Sequence, residues 1–232
     1  MARLPKYDVV SIDDLSIAEI ERIFALADEF SGALERSERL SVADGLIMAT
    51  LFYEPSTRTR LSFESAMHRL GGSVISSADM HASSAAKGES LADTVRVVSG
   101  YADLIVLRHP HDGAAQVAAN YAPCPVLNAG DGSREHPTQT LCDLFTLRRK
   151  KGRLKGMTVA LCGDLKYGRT VHSLIFALAR FGANILVVPT AGMDVPEYVL
   201  ERVRAESHYG LSHVSMDELK SLAGGLDALY LT

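Results

Sequence analysis

The sequence predicts an α/β protein of two domains, each a parallel sheet flanked by helices, with the second domain incomplete at its C-terminal end. Three observations carry this. Short apolar runs alternate with amphipathic, helix-length stretches from residue 46 to residue 127. The alternation pauses at the Gly152 and Gly156 turn and restarts at Met157. It then stops at Thr232, in or just after a strand, which leaves an open sheet edge with few helices to cover it.

Asp13, Asp14 and Ser16 supply start signals for a first helix over residues 16–36, whose Ile17, Ile20, Phe24 and Ala27 share one face. Strands are expected over residues 46–52, 73–75, 104–107 and 126–127, separated by helices near residues 58–70, 89–101, 112–120 and 136–151. Pro137 suits the first turn of the last of these, since its missing N–H is one that a helix start leaves unpaired. In the second half, strands over 157–162, 184–188 and 226–231 alternate with helices near 169–181 and 196–204. The division falls between residues 1–151 and 152–232.

At 232 residues, with 47% hydrophobic and 22% charged side chains, the chain can bury one large core or two modest ones. The net charge of −4 comes from 24 basic and 28 acidic residues mixed along the length, which does not favour nucleic acid as a partner. The most basic run, Arg148 to Lys151, reads as a solvated helix end. No apolar stretch approaches the roughly 20 residues of a membrane-spanning helix, and no signal peptide is evident, so a cytoplasmic protein is expected. Cys124, Cys142 and Cys162 lack CxxC spacing and are expected to be buried free thiols.

Four loops between strand and helix could carry chemistry. Glu54-Pro55-Ser56-Thr57-Arg58-Thr59-Arg60 combines helix-start N–H groups, hydroxyls and guanidinium groups, which together make a phosphate site. A Ser/Thr helix cap with two solvated arginines is the competing reading, and a Walker loop is excluded by the absence of its Gly-rich run and Gly-Lys pair. Arg108-His109-Pro110 follows a strand, where the carboxyl end of a parallel sheet faces ligand, so Arg108 can hold a carbonyl or carboxylate. His136 and Gln139 lie three apart at a helix start and share a face; a cap or surface histidine is the alternative. The loop Gly163 to Arg169 carries Lys166 and Arg169 where a nicotinamide-binding loop would be GxGxxG, and so suits an anionic substrate. A fifth stretch, Ser83 to Glu89, has the small polar residues of a mobile loop or a plain surface connection.

In this order the motifs Ser56-Thr57-Arg58-Thr59-Arg60, Arg108-His109-Pro110 and His136-Pro137-Thr138-Gln139 resemble those of the aspartate/ornithine carbamoyltransferase family, over essentially the whole chain. Asp164 to Ser173 and the loop holding Ser83 and Lys87 are similar to the aspartate branch. The resemblance implies a carbamoyl phosphate-binding domain over 1–151 and an aspartate-binding domain over 152–232. It implies that Ser56, Thr57, Arg58 and Thr59 hold the phosphate, that Thr59, Arg108 and His136 polarise the carbamoyl carbonyl, and that Gln139 lies near the carbamoyl nitrogen. Arg169 would bind an aspartate carboxylate, and Glu54 would orient arginines. Ser83 and Lys87 would reach a neighbouring subunit's site, with Lys87 also serving aspartate, which implies a homotrimer with shared sites. No metal or organic cofactor is expected, and regulatory or pathway-enzyme subunits are compatible partners.

In the family, the strand ending like Leu229 to Thr232 is followed by an Arg and Gln pair for aspartate, a His-Pro-Leu-Pro loop and a closing helix, so a chain ending at Thr232 is expected to keep carbamoyl phosphate contacts but to lose most of its aspartate affinity and catalysis. Three rivals stand beside this reading. One is an ornithine enzyme, which would want acidic groups where Lys166 and Arg169 stand. The others are a carbamoyl phosphate-binding scaffold without activity and an unrelated NAD-binding protein.

Overall fold

Eight strands and eight helices alternate through residues 5–77, 88–206 and 210–232, the parts that the computed structural model describes. They form two compact units, residues 1–134 and 135–232. The first contains α1 (Ile17–Glu35), β1 (Ile47–Phe52), α2 (Thr57–Arg69), β2 (Ser73–Ser77), α3 (Leu91–Val98), β3 (Leu104–His109), α4 (Ala114–Tyr121) and β4 (Val126–Asp131). Helix α1 starts where the sequence signals it. The Ser16 hydroxyl accepts from the Glu19 N–H at 3.2 Å, and the Glu19 carboxylate accepts from the Ser16 N–H at 2.8 Å, which satisfies two orphan donors at once.

The first sheet runs β2-β1-β3-β4, and every pairing is parallel. Its middle strands are apolar without alternation because both faces are covered. Ala49, Leu51, Ile105 and Leu107 enter one core cluster, while Met48, Phe52 and Val106 enter the cluster on the opposite face. Period two along a strand thus divides one apolar run between two cores.

The second unit contains α5 (Pro137–Lys151), β5 (Thr158–Gly163), α6 (Arg169–Arg180), β6 (Asn184–Pro189), α7 (Glu197–Glu206), β7 (Leu211–His213), α8 (Met216–Leu222) and β8 (Ala228–Leu231). Its sheet is also parallel, in the order β7-β6-β5-β8. Helix α6 is buried at every position from Val171 to Ala179, so it is a central helix and not a surface one. Helix α5 packs against α6 and therefore groups with the second unit. It ends at Gly152, whose φ of 74° is the left-handed conformation that closes a helix cheaply only with glycine.

Several local expectations change. The helix expected over 89–101 is confined to Leu91–Val98, because the Ser90 side chain caps it by accepting from the Asp93 N–H. Strand β4 continues past Leu127 to Asp131. Strand β7 and helix α8 were not expected at all. Cys124 and Cys162 are buried, but Cys142 is exposed on α5, contrary to the expectation for all three thiols. The basic run Arg148 to Lys151 does form the last turn of α5, where cations oppose the negative end of the helix dipole.

Candidate functional site

In an open parallel sheet, ligands bind beyond the carboxyl ends of the strands where successive connections go opposite ways. The first sheet has that point between β1 and β3, because the chain passes from β1 outward to β2 and then returns to β3 on the other side. Glu54, the Ser56 to Thr59 segment and Arg108 stand at that end of the sheet. Phe52 pairs with Arg108, and the Tyr53 N–H donates to the Arg108 carbonyl at 2.8 Å, so Glu54 leaves β1 alongside the end of β3. Arg108 is only 8% exposed. Its Nη2 pairs with the Glu54 carboxylate and its Nη1 donates to the Ala129 carbonyl at 3.0 Å. A guanidinium held at both of its terminal nitrogens loses little freedom when it meets a ligand oxygen.

Ser56 is the N-cap residue of α2, yet its side chain makes no capping bond. The plain cap reading of this motif is therefore not what the fold uses. The first-turn N–H groups of α2 get no bond from that hydroxyl, and the dipole of a 13-residue helix points at the same place. Thr57 and Arg58 are exposed, whereas Ser56, Thr59 and Arg60 are half-buried. Arg60 turns back along the helix to Glu64 at 3.7 Å, so Arg58 is the more available cation of the motif.

The second sheet changes direction between β5 and β8. Loop 163–168 leaves β5 at this point. Gly163 has a φ of 117°, and a Cβ there would lie 2.0 Å from the Thr232 carbonyl oxygen, so glycine is required by both backbone and space. The Asp164 carboxylate accepts from the N–H groups of Lys166 and Tyr167, each at 3.0 Å, which folds the loop back on itself. The Leu165 carbonyl contacts His172 Nε2 at 2.9 Å, and His172 Nδ1 contacts the Tyr198 hydroxyl at 3.2 Å. This chain, buried at Leu165 and His172 and exposed at Tyr198, anchors the loop to α6 and α7. Lys166 and Tyr167 remain exposed, and Arg169 is the first residue of α6.

Within the same unit, the starts of α5 and α6 are tied together through Ser173. Its hydroxyl donates to Glu135 at 2.6 Å, the His136 N–H reaches its oxygen at 3.5 Å, and the Arg169 carbonyl is 3.4 Å away. His136 is 7% exposed and is the N-cap residue of α5, but its side chain does not cap. Its Nδ1 lies 3.3 Å from the Thr138 hydroxyl. When that hydroxyl donates to Nδ1, the imidazole proton sits on Nε2, which makes Nε2 a donor without a positive charge. Gln139 Nε2 donates to Asp143 Oδ1 at 2.8 Å. Asp143 Oδ2 accepts from the Tyr230 hydroxyl at 3.3 Å, and that hydroxyl is 3.4 Å from Thr170 Oγ1. Burial pushes the Asp143 carboxyl up from the usual carboxylate range.

The fold thus brings Glu54, the Ser56 to Thr59 segment and Arg108 together in the first unit, and His136 and Arg169 together in the second. Ser83 and Lys87 lie outside the described residues. Glu135, Ser173, His172, Tyr198, Asp143 and Tyr230 were not anticipated. For most of them no local signal exists, since their partners are far away in sequence. The Gln139 and Asp143 spacing of four on one helix was the one legible hint. Among the described residues, no group of three or more His, Cys, Asp or Glu could hold a metal ion, and no helix is long and apolar enough to cross a membrane.

Two open parallel sheets, each with arginine at its switch point, define a two-unit α/β protein with paired strand-end loops suited to anions. Residues 7–149 match the family model for the carbamoyl-P binding domain of aspartate/ornithine carbamoyltransferases, and residues 155–232 match the model for the Asp/Orn binding domain. The chain is 50% identical over 229 residues to the aspartate carbamoyltransferase catalytic subunit of Thermoplasma acidophilum, covering 99% of this chain and 74% of the relative. It is 50% identical over 234 residues to that of Methanopyrus kandleri, covering 100% and 74%. Among solved structures, the catalytic subunit of M. jannaschii aspartate transcarbamoylase superposes with a TM-score of 0.88 at 48% identity, over 97% of this chain and 73% of that one. The Trypanosoma cruzi enzyme in complex with carbamoyl phosphate and aspartate gives 0.90 at 39%, over 97% and 76%. The chain belongs to the aspartate/ornithine carbamoyltransferase family, a family of transferase enzymes.

Proposed function

We propose that the chain transfers the carbamoyl group of carbamoyl phosphate to L-aspartate, giving N-carbamoyl-L-aspartate and phosphate in cytoplasmic de novo pyrimidine synthesis. The observation that carries this is the buried Arg108, held by Glu54 beside an uncapped helix start at the first switch point. Ser56, Thr57, Arg58 and Thr59 grip the phosphate through hydroxyls, helix-start N–H groups and one guanidinium. Thr59, Arg108 and His136 donate to the carbamoyl oxygen, and Gln139 meets the carbamoyl nitrogen. Residues 1–151 then serve carbamoyl phosphate and residues 152–232 serve aspartate. Lys166 and Arg169 at the second switch point favour an anionic amino acid over a cationic one. Ser83 and Lys87 belong to a site shared between copies in a homotrimer.

In the reaction the amine lone pair of aspartate forms a bond to the carbamoyl carbon, and negative charge builds on the carbonyl oxygen. Donors already aimed at that oxygen lower the barrier because they need no reorganisation when the charge appears. The bond from carbon to the bridging oxygen then breaks, its electron pair leaves with phosphate, and phosphate takes the amine proton. His136 acts as a neutral donor in this scheme, so no side chain needs to exchange a proton.

The test is product formation from carbamoyl phosphate with L-aspartate or with L-ornithine. Carbamoyl aspartate is the expected product, with no citrulline. Citrulline would overturn the choice of amino acid. Binding of carbamoyl phosphate without any product would instead support a carbamoyl phosphate-binding subunit without activity.

A further inference from the structure

Gln139 can offer a ligand either end of its amide, and the two ends recognise opposite partners. Its neighbour settles which one is offered. Asp143 stands one turn further along α5, and an ionised carboxylate can only accept hydrogen bonds. Asp143 Oδ1 takes the amide nitrogen at 2.8 Å, which leaves Gln139 Oε1 as the end of the amide available to a ligand. Asp143 is itself fixed, because its second oxygen accepts from Tyr230 on β8 and the Tyr230 hydroxyl also meets Thr170 on α6. One carboxylate thus joins α5, α6 and β8, and it sits there despite burial that raises its pKa. An isolated surface pair at this spacing would have no second anchor.

Building on the proposed contact of Gln139 with the carbamoyl nitrogen, we infer that Asp143 is a positioning residue that turns the Gln139 carbonyl toward the substrate's NH2 group and so makes the site prefer carbamoyl over acetyl phosphate. The NH2 group of carbamoyl phosphate is a donor. The methyl group of acetyl phosphate has the same size and place but cannot donate, so it leaves the aimed carbonyl unpaired. A site built to hydrogen-bond a polar group rejects the analogue that lacks it far better than an apolar pocket separates two shapes. Replacing Asp143 by asparagine keeps the volume but removes the instruction, since an asparagine side chain can face Gln139 with either its oxygen or its nitrogen.

The experiment measures dissociation constants for carbamoyl phosphate and acetyl phosphate by calorimetry, so it needs no turnover. It compares the unaltered protein, Asp143→Asn, Gln139→Ala and the double variant. The unaltered protein should prefer carbamoyl phosphate, and Asp143→Asn should lower that preference by about 10-fold, the order expected for one aimed hydrogen bond. Gln139→Ala should lower it equally, and adding Asp143→Asn to it should change nothing further. Summed losses in the double variant, or an unchanged preference in Asp143→Asn, would overturn the inference. An unchanged preference in Gln139→Ala would strike the role of Gln139 itself, and no binding of carbamoyl phosphate by the unaltered protein would strike the proposed function. If Asp143→Asn does not fold, Tyr230→Phe frees the same carboxylate on its other side. It should lower the preference by about threefold, and no change would count against the inference.

Discussion

Glu54 and Arg108 form a pair whose loss should be visible in stability before any substrate is added. The two side chains are 28% and 10% exposed, so the guanidinium is nearly desolvated and the carboxylate is partly wet. Removing one member of a fully buried pair costs about 3–5 kcal/mol, because the other charge is left without compensation. The exposed share of Glu54 screens part of that, and the Ala129 carbonyl still holds Arg108. We therefore expect Glu54→Gln to destabilise the protein by about 2 kcal/mol, which corresponds to a melting shift of about 4–8 °C for a protein of this size. The sequence contains no tryptophan, so unfolding is best followed by far-ultraviolet circular dichroism. An anion should repair the variant in part, so added phosphate should raise its midpoint more than that of the unaltered protein. Arg108→Met combined with Glu54→Gln should cost less than the sum of the two single changes. Additive losses, or a Glu54→Gln variant that melts with the unaltered protein, would refute the claim that Glu54 holds a desolvated arginine in place.

Other consequences can be checked separately. Arg169→Met should weaken aspartate binding by at least about 10-fold while leaving carbamoyl phosphate binding within about twofold, in line with loss of one charge-assisted bond; steady-state kinetics with each substrate varied would separate the two. Hydrogen bonds from Ser16 and Tyr7 hold the Glu19 carboxyl down from its ordinary 4.5 to about 2. Its folded value lies below its unfolded one, so its contribution to stability is complete above about 4.5 and fades as pH falls toward about 2. Urea midpoints of Glu19→Gln and the unaltered protein should therefore differ at pH 6 and converge only as pH falls to about 2; a constant gap would contradict the capping geometry. Thr138→Val removes the hydroxyl beside His136 Nδ1 and should lower kcat more than it raises the KM for carbamoyl phosphate, since it loosens a donor used at the transition state.

The fold was legible where burial on both faces writes itself into composition. Strands β1, β3, β5 and β6 read as apolar runs because parallel strands under helices are covered twice. Strand β7 was not legible, since Leu211-Ser212-His213 is short and largely exposed, and its pairing with β6 decides its conformation more than its own residues do. The placement of the candidate residues was legible to the extent that strand-end loops concentrate unusual polar residues: Ser56, Arg108, His136 and Arg169 all stand at such ends. Their supports were hidden. Ser173 meets Glu135 across 38 residues of chain, and Tyr230 meets Asp143 across 87, and no periodicity encodes a hydrogen bond over such distances. Glu54 was the exception, because the family resemblance implied that it orients arginines, and its pairing with Arg108 is the contact observed.

In the proposed reaction the phosphate grip and the aspartate grip serve one transfer step. Calorimetric titration with a compound that joins a phosphonate to L-aspartate tests it most directly. Binding should be tighter than that of carbamoyl phosphate or aspartate alone, and weakened by Arg108→Met and by Arg169→Met alike. Affinity no better than that of inorganic phosphate, or indifference to either substitution, would contradict it.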